Sequence, residues 1–414
     1  MKKILALTLA VLMLASVAVV FSSCGDAGDD FKLGVILLHD EKSTYDLNFI
    51  EAVERAAEAL GLEEDQVIYK KNIPEGNECY DAAADLVDQG CDVIFADSFG
   101  HESYIVKAAK EFPEVQFCHA TGTTAHTEGL DNFHNAFASI YEGRYLAGVA
   151  AGLKLKEMME ADNTIKPVIG YVGAFTYAEV ISGYTSYYLG VKSIVPEVTM
   201  KVQFTGSWYN EGWERDAANV LIQEGCVLIS QHADSMGAPS ACEIKLIPNV
   251  SYNGSTIESC PNTFIVSSKI DWTPYFKLIC ENTMNGEAIP TDWTGTIETG
   301  SVALTDVNGN VAAEGTQTTL DAVKAELVAG TRKVFDTDTF TVTVVKEGDD
   351  KLNANATVDE NGKLTAYLAD VDTDEAFTGD TNVVSDGYFH ESENRSAPYF
   401  DIQIDGIELL NAKF

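Results

Sequence analysis

Two stretches, Leu86-Val87-Asp88-Gln89-Gly90-Cys91-Asp92-Val93-Ile94 and Leu221-Ile222-Gln223-Glu224-Gly225-Cys226-Val227-Leu228-Ile229, share one layout: a helix end, a Gly-Cys step and the start of an apolar strand. Glycine at such a junction supplies the left-handed turn that stops a helix, and an apolar run directly after it suits a strand buried on both faces. The two stretches lie about one domain length apart, which predicts two similar α/β lobes made by using one unit twice. The competing reading is that helix-Gly-strand junctions are generic in α/β chains.

Outward from these echoes, short apolar runs alternate with amphipathic stretches. The predicted strands are Leu33–Leu38, Val93–Ala96, Val115–His119, Val168–Val172, Thr199–Phe204, Val227–Ser230, Asn249–Tyr252 and Phe264–Ser267. Helices fall between them. Phe49–Leu60 puts Ile50, Val53, Ala57 and Leu60 on one stripe and stops at Gly61; Tyr80–Gln89 and Asp216–Glu224 behave alike. The expected architecture is therefore two Rossmann-like lobes with parallel sheets, plus an acidic β-rich C-terminal extension. The expected boundaries are an N-terminal lobe at 31–140, a C-terminal lobe at 141–270, a return segment and hinge at 271–335, and the extension at 336–414. Within the last, Phe340, Val342 and Val344 alternate with Thr341, Thr343 and Val345 as in a strand, and Asp349–Asp386 reads as a solvated antiparallel addition.

The chain has 414 residues, 27 Lys plus Arg against 64 Asp plus Glu, a net charge of −37 and 46% hydrophobic residues. That apolar content excludes a disordered chain, and the charge excludes a reader of nucleic-acid backbones. Lys2 and Lys3, the uncharged run Ile4–Phe21, and Ser22-Ser23 read as a secretory signal at 1–23; the small residues before Cys24 resemble a bacterial lipoprotein lipobox, which implies lipidation at Cys24, with 24–30 as a polar tether. The alternative is an uncleaved anchor. Localisation is accordingly expected to be extracytoplasmic, on the membrane through a lipid. The other seven cysteines contain no C-x-x-C pair; Cys242 and Cys260 flank one strand and are candidates for a disulfide.

Ligands of parallel α/β sheets bind beyond the carboxyl ends of the strands. Here those ends run into His39–Asp46, Asp97-Ser98-Phe99-Gly100, Ala120-Thr121-Gly122, Phe175-Thr176-Tyr177, Gly206–Asn210, Gln231–Ser235, Asn253-Gly254 and Asp271-Trp272. Rings with carboxylates and amides suit a flat ligand with a polar rim. Each residue also has a plainer reading: Tyr45, Trp208 and Trp272 as packing rings, Asp97 and Asp234 as helix N-caps, His232 as a structural histidine. Arg144 is expected to pair with Glu142 or to serve packing, and Gly143, Gly148 and Gly152 to let helices approach closely. No nucleophile motif, P-loop or metal-binding pair is present in the sequence, and His119, His126 and His134 lack metal-ligand spacing. A binder without cofactor or metal is expected, and not an enzyme.

IYEGRYLAGVAAGLK (Ile140–Lys154), IGYVGAF (Ile169–Phe175), TGSWYN (Thr205–Asn210) and QHADS (Gln231–Ser235), in that order, resemble the basic membrane protein family of substrate-binding lipoproteins of ABC importers. The resemblance covers about Phe31–Asp306, and Ser396–Ile407 is compatible with the family's tail. It implies the type I periplasmic-binding-protein fold, a purine nucleoside or nucleobase as ligand, an ABC permease as partner and a monomeric receptor. It further implies that Tyr45 and Trp208 clamp the base from opposite lobes and that Asp234 and Asn253 bond its edge. Phe99, Thr121 and Trp272 would line the remaining wall. A sugar receptor and a nucleoside-processing hydrolase are the alternatives.

Overall fold

The computed structural model describes residues 31–347, 351–371 and 381–412. The expected signal, the Cys24 acylation site and the tether lie outside the described residues. Among those described, no helix is long and apolar enough to cross a membrane.

Each lobe is a parallel sheet between helices. In the first, β1 (Leu33–Ile36), β2 (Val67–Lys70), β3 (Val93–Ala96), β4 (Gln116–Ala120) and β5 (Phe133–Ala138) stand in the order β2-β1-β3-β4-β5. In the second, β6 (Val168–Gly173), β7 (Thr199–Phe204), β8 (Ile229–His232), β9 (Asn249–Tyr252) and β10 (Phe264–Ile270) repeat it as β7-β6-β8-β9-β10. The echo quoted above falls on the same connection in both lobes. Gly90 and Gly225 take φ +80° and +89°, and Cys91 and Cys226 follow as small core residues. After β10 the chain returns to the first sheet, where β11 (Asp292–Gly295) pairs with β5, then rejoins the second, where β12 (Val302–Leu304) runs antiparallel to β10.

Helix α1 (Thr44–Leu60) starts five residues before its amphipathic stripe, because the Ser43 hydroxyl accepts the Asp46 N–H at 3.2 Å and caps it. That earlier start lifts Tyr45 onto the first helical turn. The first lobe continues with α2 (Asn77–Asp88), α3 (Glu102–Glu111) and the single turn α4 (Ala125–Glu128). The second carries α5 (Ile140–Ala161), α6 (Ala178–Lys192), α7 (Glu211–Gln223) and α8 (Gly237–Lys245). α9 (Thr273–Asn285) packs against α1, and α10 (Thr316–Val328) against α5. A Cβ on Gly148 would sit 2.1 Å from the Tyr187 carbonyl, and one on Gly190 2.2 Å from that of Tyr145, so α5 and α6 cross backbone to backbone.

Phe340 and Val342 are buried and Thr341 and Thr343 exposed, as the alternation requires, but this segment forms no strand. Its hydroxyls are bound instead, Thr341 Oγ1 at 2.6 Å and Thr343 Oγ1 at 2.8 Å to Asp405. Beyond it come a small antiparallel sheet of β13 (Ala356–Val358), β14 (Leu364–Ala369) and β15 (Thr381–Asn382), and the pair β16 (Val384–Ser385) and β17 (Tyr388–Phe389). The last strand, β18 (Ile407–Leu409), lies parallel to β7 at the edge of the second sheet. Ser396 donates its N–H to Asp292 at 2.7 Å, so the extension also touches the first lobe. All seven cysteines among the described residues are buried thiols; Cys242 and Cys260 are not bonded to each other.

Two buried glutamates, Glu214 and Glu391, and the half-buried Glu142 contribute to the pH dependence of folding. Burial pushes Glu142 and Glu214 up to about 7 and Glu391 up to about 8. Each holds a proton in the folded chain at a pH where the unfolded chain has lost it, so stability rises as pH falls from 8. Buried His101, His134 and His232, held down to about 4, oppose this only once unfolded histidine takes protons, near about 6.5. The melting temperature is therefore expected to be higher at about pH 6.5 than at about pH 8. Glu391→Gln should flatten the difference, and a melting temperature that falls on going to the lower pH would contradict the assignment.

Candidate functional site

The carboxyl ends of both sheets face one narrow pocket between the lobes. Leu38, Tyr45, Ser98, Phe99 and Thr121 line it from the first lobe; Glu179, Trp208, His232, Asp234 and Tyr252 line it from the second. Five expected site residues thus meet there: Tyr45, Phe99, Thr121, Trp208 and Asp234. Trp272 does not line the cavity. It is fully buried, stacked on Phe49 at 4.7 Å, and Phe49 in turn meets the Tyr45 ring edge-on at 4.9 Å. Asn253 is likewise not among the lining residues. It ends β9 with φ +63°, and its side-chain Nδ2 is buried without a partner among the described residues.

Local bonds aim the lining side chains. The Tyr45 hydroxyl donates to the Asp97 carbonyl at 2.7 Å, and the Asp234 N–H donates to the Trp208 carbonyl at 3.0 Å. Glu214 ties the two second-lobe loops together, accepting the Asn210 N–H at 3.0 Å and the Ser235 N–H at 3.2 Å. Trp208 sits against Phe175 at 5.0 Å and Tyr177 at 6.0 Å. Asp97 is not a helix cap: its carboxylate accepts the Leu38 N–H at 3.0 Å, and burial with Asp46 beside it raises its pKa strongly. Asp234 caps no helix either; burial and the nearby carboxylates of Asp46, Glu214 and Glu179 raise its pKa. His232 is partnered, its Nε2 3.3 Å from Glu179 Oε1, and burial keeps it neutral.

Of the two expectations for Arg144, a Glu142 partner or a packing role, the structure shows no bond to Glu142. Its guanidinium lies 3.4 Å over the Tyr252 ring, donates to the Gln231 carbonyl at 3.0 Å, and is sealed beneath the cavity. His119 and His134 bond to Ser98, Pro290 and Gln116, and no group of metal-binding side chains occurs among the described residues. Sequence reasoning passed over Glu179 and Tyr252. Tyr252 carried a signal, as the last residue of a strand just before Asn253; Glu179, in the first turn of a helix, carried none.

The lobes touch around the cavity mouth. Thr44 donates its N–H to the Asp234 carbonyl at 3.0 Å; His39 faces Tyr209 at 5.2 Å and Phe99 faces Tyr177 at 5.2 Å. Phe99 and Tyr177 remain 39% and 43% exposed, which places them at the rim. Such a ring pair contributes about 0.5 to 1.5 kcal/mol to the shut arrangement. Tyr177→Ala, which removes no lining residue, is expected to enlarge the radius of gyration of the free protein in solution scattering; an unchanged radius would count against this latch.

Residues 35–334 match the family model described as ABC transporter substrate-binding protein, PnrA-like. A purine-binding protein from Brucella abortus (strain 2308) is 32% identical over 249 residues, 59% of this chain and 66% of that protein. A putative ABC transporter glucose-binding protein from Haloferax volcanii is 34% identical over 223 residues, 54% of each chain. The chain thus spans under two thirds of the length of the first relative and about half of the second. Among solved structures, solute-binding proteins of ABC transporter systems share the fold. The one from Conexibacter woesei DSM 14684 has TM-score 0.58 and 19% identity, covering 73% of this chain and 98% of that one. The one from Aeropyrum pernix K1 has TM-score 0.61 and 15% identity, covering 77% and 94%.

Proposed function

Because the chain belongs to the family of PnrA-like ABC transporter substrate-binding proteins, we propose that it captures a purine nucleoside or nucleobase between its lobes outside the cytoplasm and delivers it to an ABC permease. One observation carries this reading: rings from both lobes, Tyr45 and Phe99 on one side and Trp208 and Tyr252 on the other, line a single interlobe pocket together with two carboxylates. Flat aromatic walls stack on a planar heterocycle, and carboxylates answer its N–H groups. In the proposed complex Tyr45, Phe99, Thr121, Trp208 and Asp234 contact the ligand, Asn253 adds an amide beside it, and Trp272 backs the wall through Phe49. Closure, stabilised by contacts from both lobes, is the signal for the permease. Residues 1–23 serve as the export signal, Cys24 carries lipid, 24–30 form the tether, and the receptor acts as a monomer.

Denaturing the purified protein and recording the ultraviolet spectrum of the released small molecule tests the ligand class. A purine spectrum, followed by saturable rebinding of that compound, is the expected result. Glucose or another sugar rebinding where purines do not would favour the second reading, to which the glucose-binding relative points. Incubation with nucleosides should release no free base beyond one equivalent; sustained release would make the protein a hydrolase.

A further inference from the structure

We propose that Glu179 and Asp234 form an acceptor pair that selects a donor-rich ligand edge, so that this site takes amino-substituted purines in preference to their oxo counterparts. The inference rests on the purine reading above and sharpens it. Both carboxylates line the cavity, whereas no lysine or arginine does. The nearest guanidinium, that of Arg144, is covered by the Tyr252 ring.

The other polar groups of the cavity are largely committed. The Tyr45 hydroxyl donates to Asp97, and the Thr121 hydroxyl to the Ala120 carbonyl at 2.5 Å. The Asp234 carboxylate receives no hydrogen bond from the described residues, and Glu179 Oε1 has His232 at 3.3 Å. An acid in the first turn of a helix is favoured by the helix dipole wherever it points. Glu179, however, has a side chain only 12% exposed and lines the cavity, so the dipole does not account for its direction. The Tyr252 hydroxyl, on the same wall, is buried without a partner. What remains for a ligand is the acceptor capacity of the two carboxylates, beside the Tyr252 hydroxyl and His232 Nδ1, which can each donate or accept.

An exocyclic amino group supplies two N–H donors to such a wall. An exocyclic carbonyl oxygen turns lone pairs toward carboxylate oxygens and leaves both sides unpaired. The same pair repels phosphorylated ligands, which confines the site to bases and nucleosides. Protonation bears on the choice. Burial lifts Asp234 toward its neutral form, with Asp46 on α1, Glu179 on α6 and Glu214 on α7 acting in the same sense and Arg144 on α5 against it. A protonated Asp234 can meet a carbonyl oxygen; an ionised one cannot. The preference for the amino ligand is therefore expected to widen as pH rises.

Calorimetric titration of the full chain, stripped of ligand, with adenine against hypoxanthine and guanine against xanthine tests this without any variant. In at least one pair the amino member should bind at least about ten-fold tighter. Glu179→Gln, of the same shape, should shrink that ratio, as should Asp234→Asn. Equal affinities within both pairs overturn the inference while leaving the purine reading intact, and so does an unaltered ratio in both variants. If none of the four bases nor their nucleosides binds, the purine reading itself has failed and this inference goes with it.

Discussion

Trp208→Ala is expected to weaken binding of the proposed purine ligand by about 1 to 3 kcal/mol, roughly a five- to 160-fold rise in Kd, if the ring stacks on the base. The size of the effect follows from how firmly the indole is held. Phe175 and Tyr177 pack against it, and its own carbonyl takes the Asp234 N–H, so the ring face is pre-set and little ordering cost falls on binding. Alanine removes the stacking face and opens the second-lobe wall of the cavity, whereas phenylalanine should restore part of the loss. Titration calorimetry on both variants reads the outcome, and an alanine variant with parental affinity would remove Trp208 from the site.

The larger effect on stability is expected where α5 crosses α6. Gly190→Ala places a methyl group against the Tyr145 carbonyl, and Gly148→Ala one against that of Tyr187. Those obstacles are helix backbone, so relief requires the helices to part. Overpacking of this kind costs about 1 to 3 kcal/mol and occasionally more. Both helices belong to the second lobe, whose core also carries Tyr184, Tyr187 and Tyr188. Denaturant unfolding should show the lowered midpoint in either variant. A double variant should lose less than the sum, since one displacement of the helices accommodates both methyls. Midpoints equal to the parent would mean that the crossing is looser than these distances imply.

How much of this was legible in the sequence depends on where polar residues fall. β3, an uninterrupted apolar run, has the predicted bounds, as does β9 despite Asn249 and Ser251, and the Gly-Cys steps mark equivalent junctions. β5 escaped because His134 and Asn135 interrupt its run. Buried, they are satisfied by Gln116, Pro290, Ala125 and Glu102, partners brought together only by the fold. β2 escaped for the opposite reason, as a half-exposed edge strand with little apolar pressure on it. The rings and Asp234 were visible as strand-end punctuation. Glu179 was not, because a glutamate at a helix start reads as a dipole-favoured surface acid until the second lobe turns it inward. The partners of Arg144, the Tyr252 face and the Gln231 carbonyl, were not legible because they come from two different strands of the sheet it lies against.

The seat of β18 on β7 bears on how the chain matures. Its residues 407–409 pair with residues 200–202, so the second sheet lacks its outermost member until some two hundred residues beyond β7 have been synthesised. Until then the flank of β7 shows unsatisfied amide and carbonyl groups, the kind of border onto which another strand can zip. The first lobe has no such debt to the tail within its five-stranded parallel core. The second must therefore be kept from premature association during synthesis and export, and shortened versions ending before residue 407 should be prone to clumping.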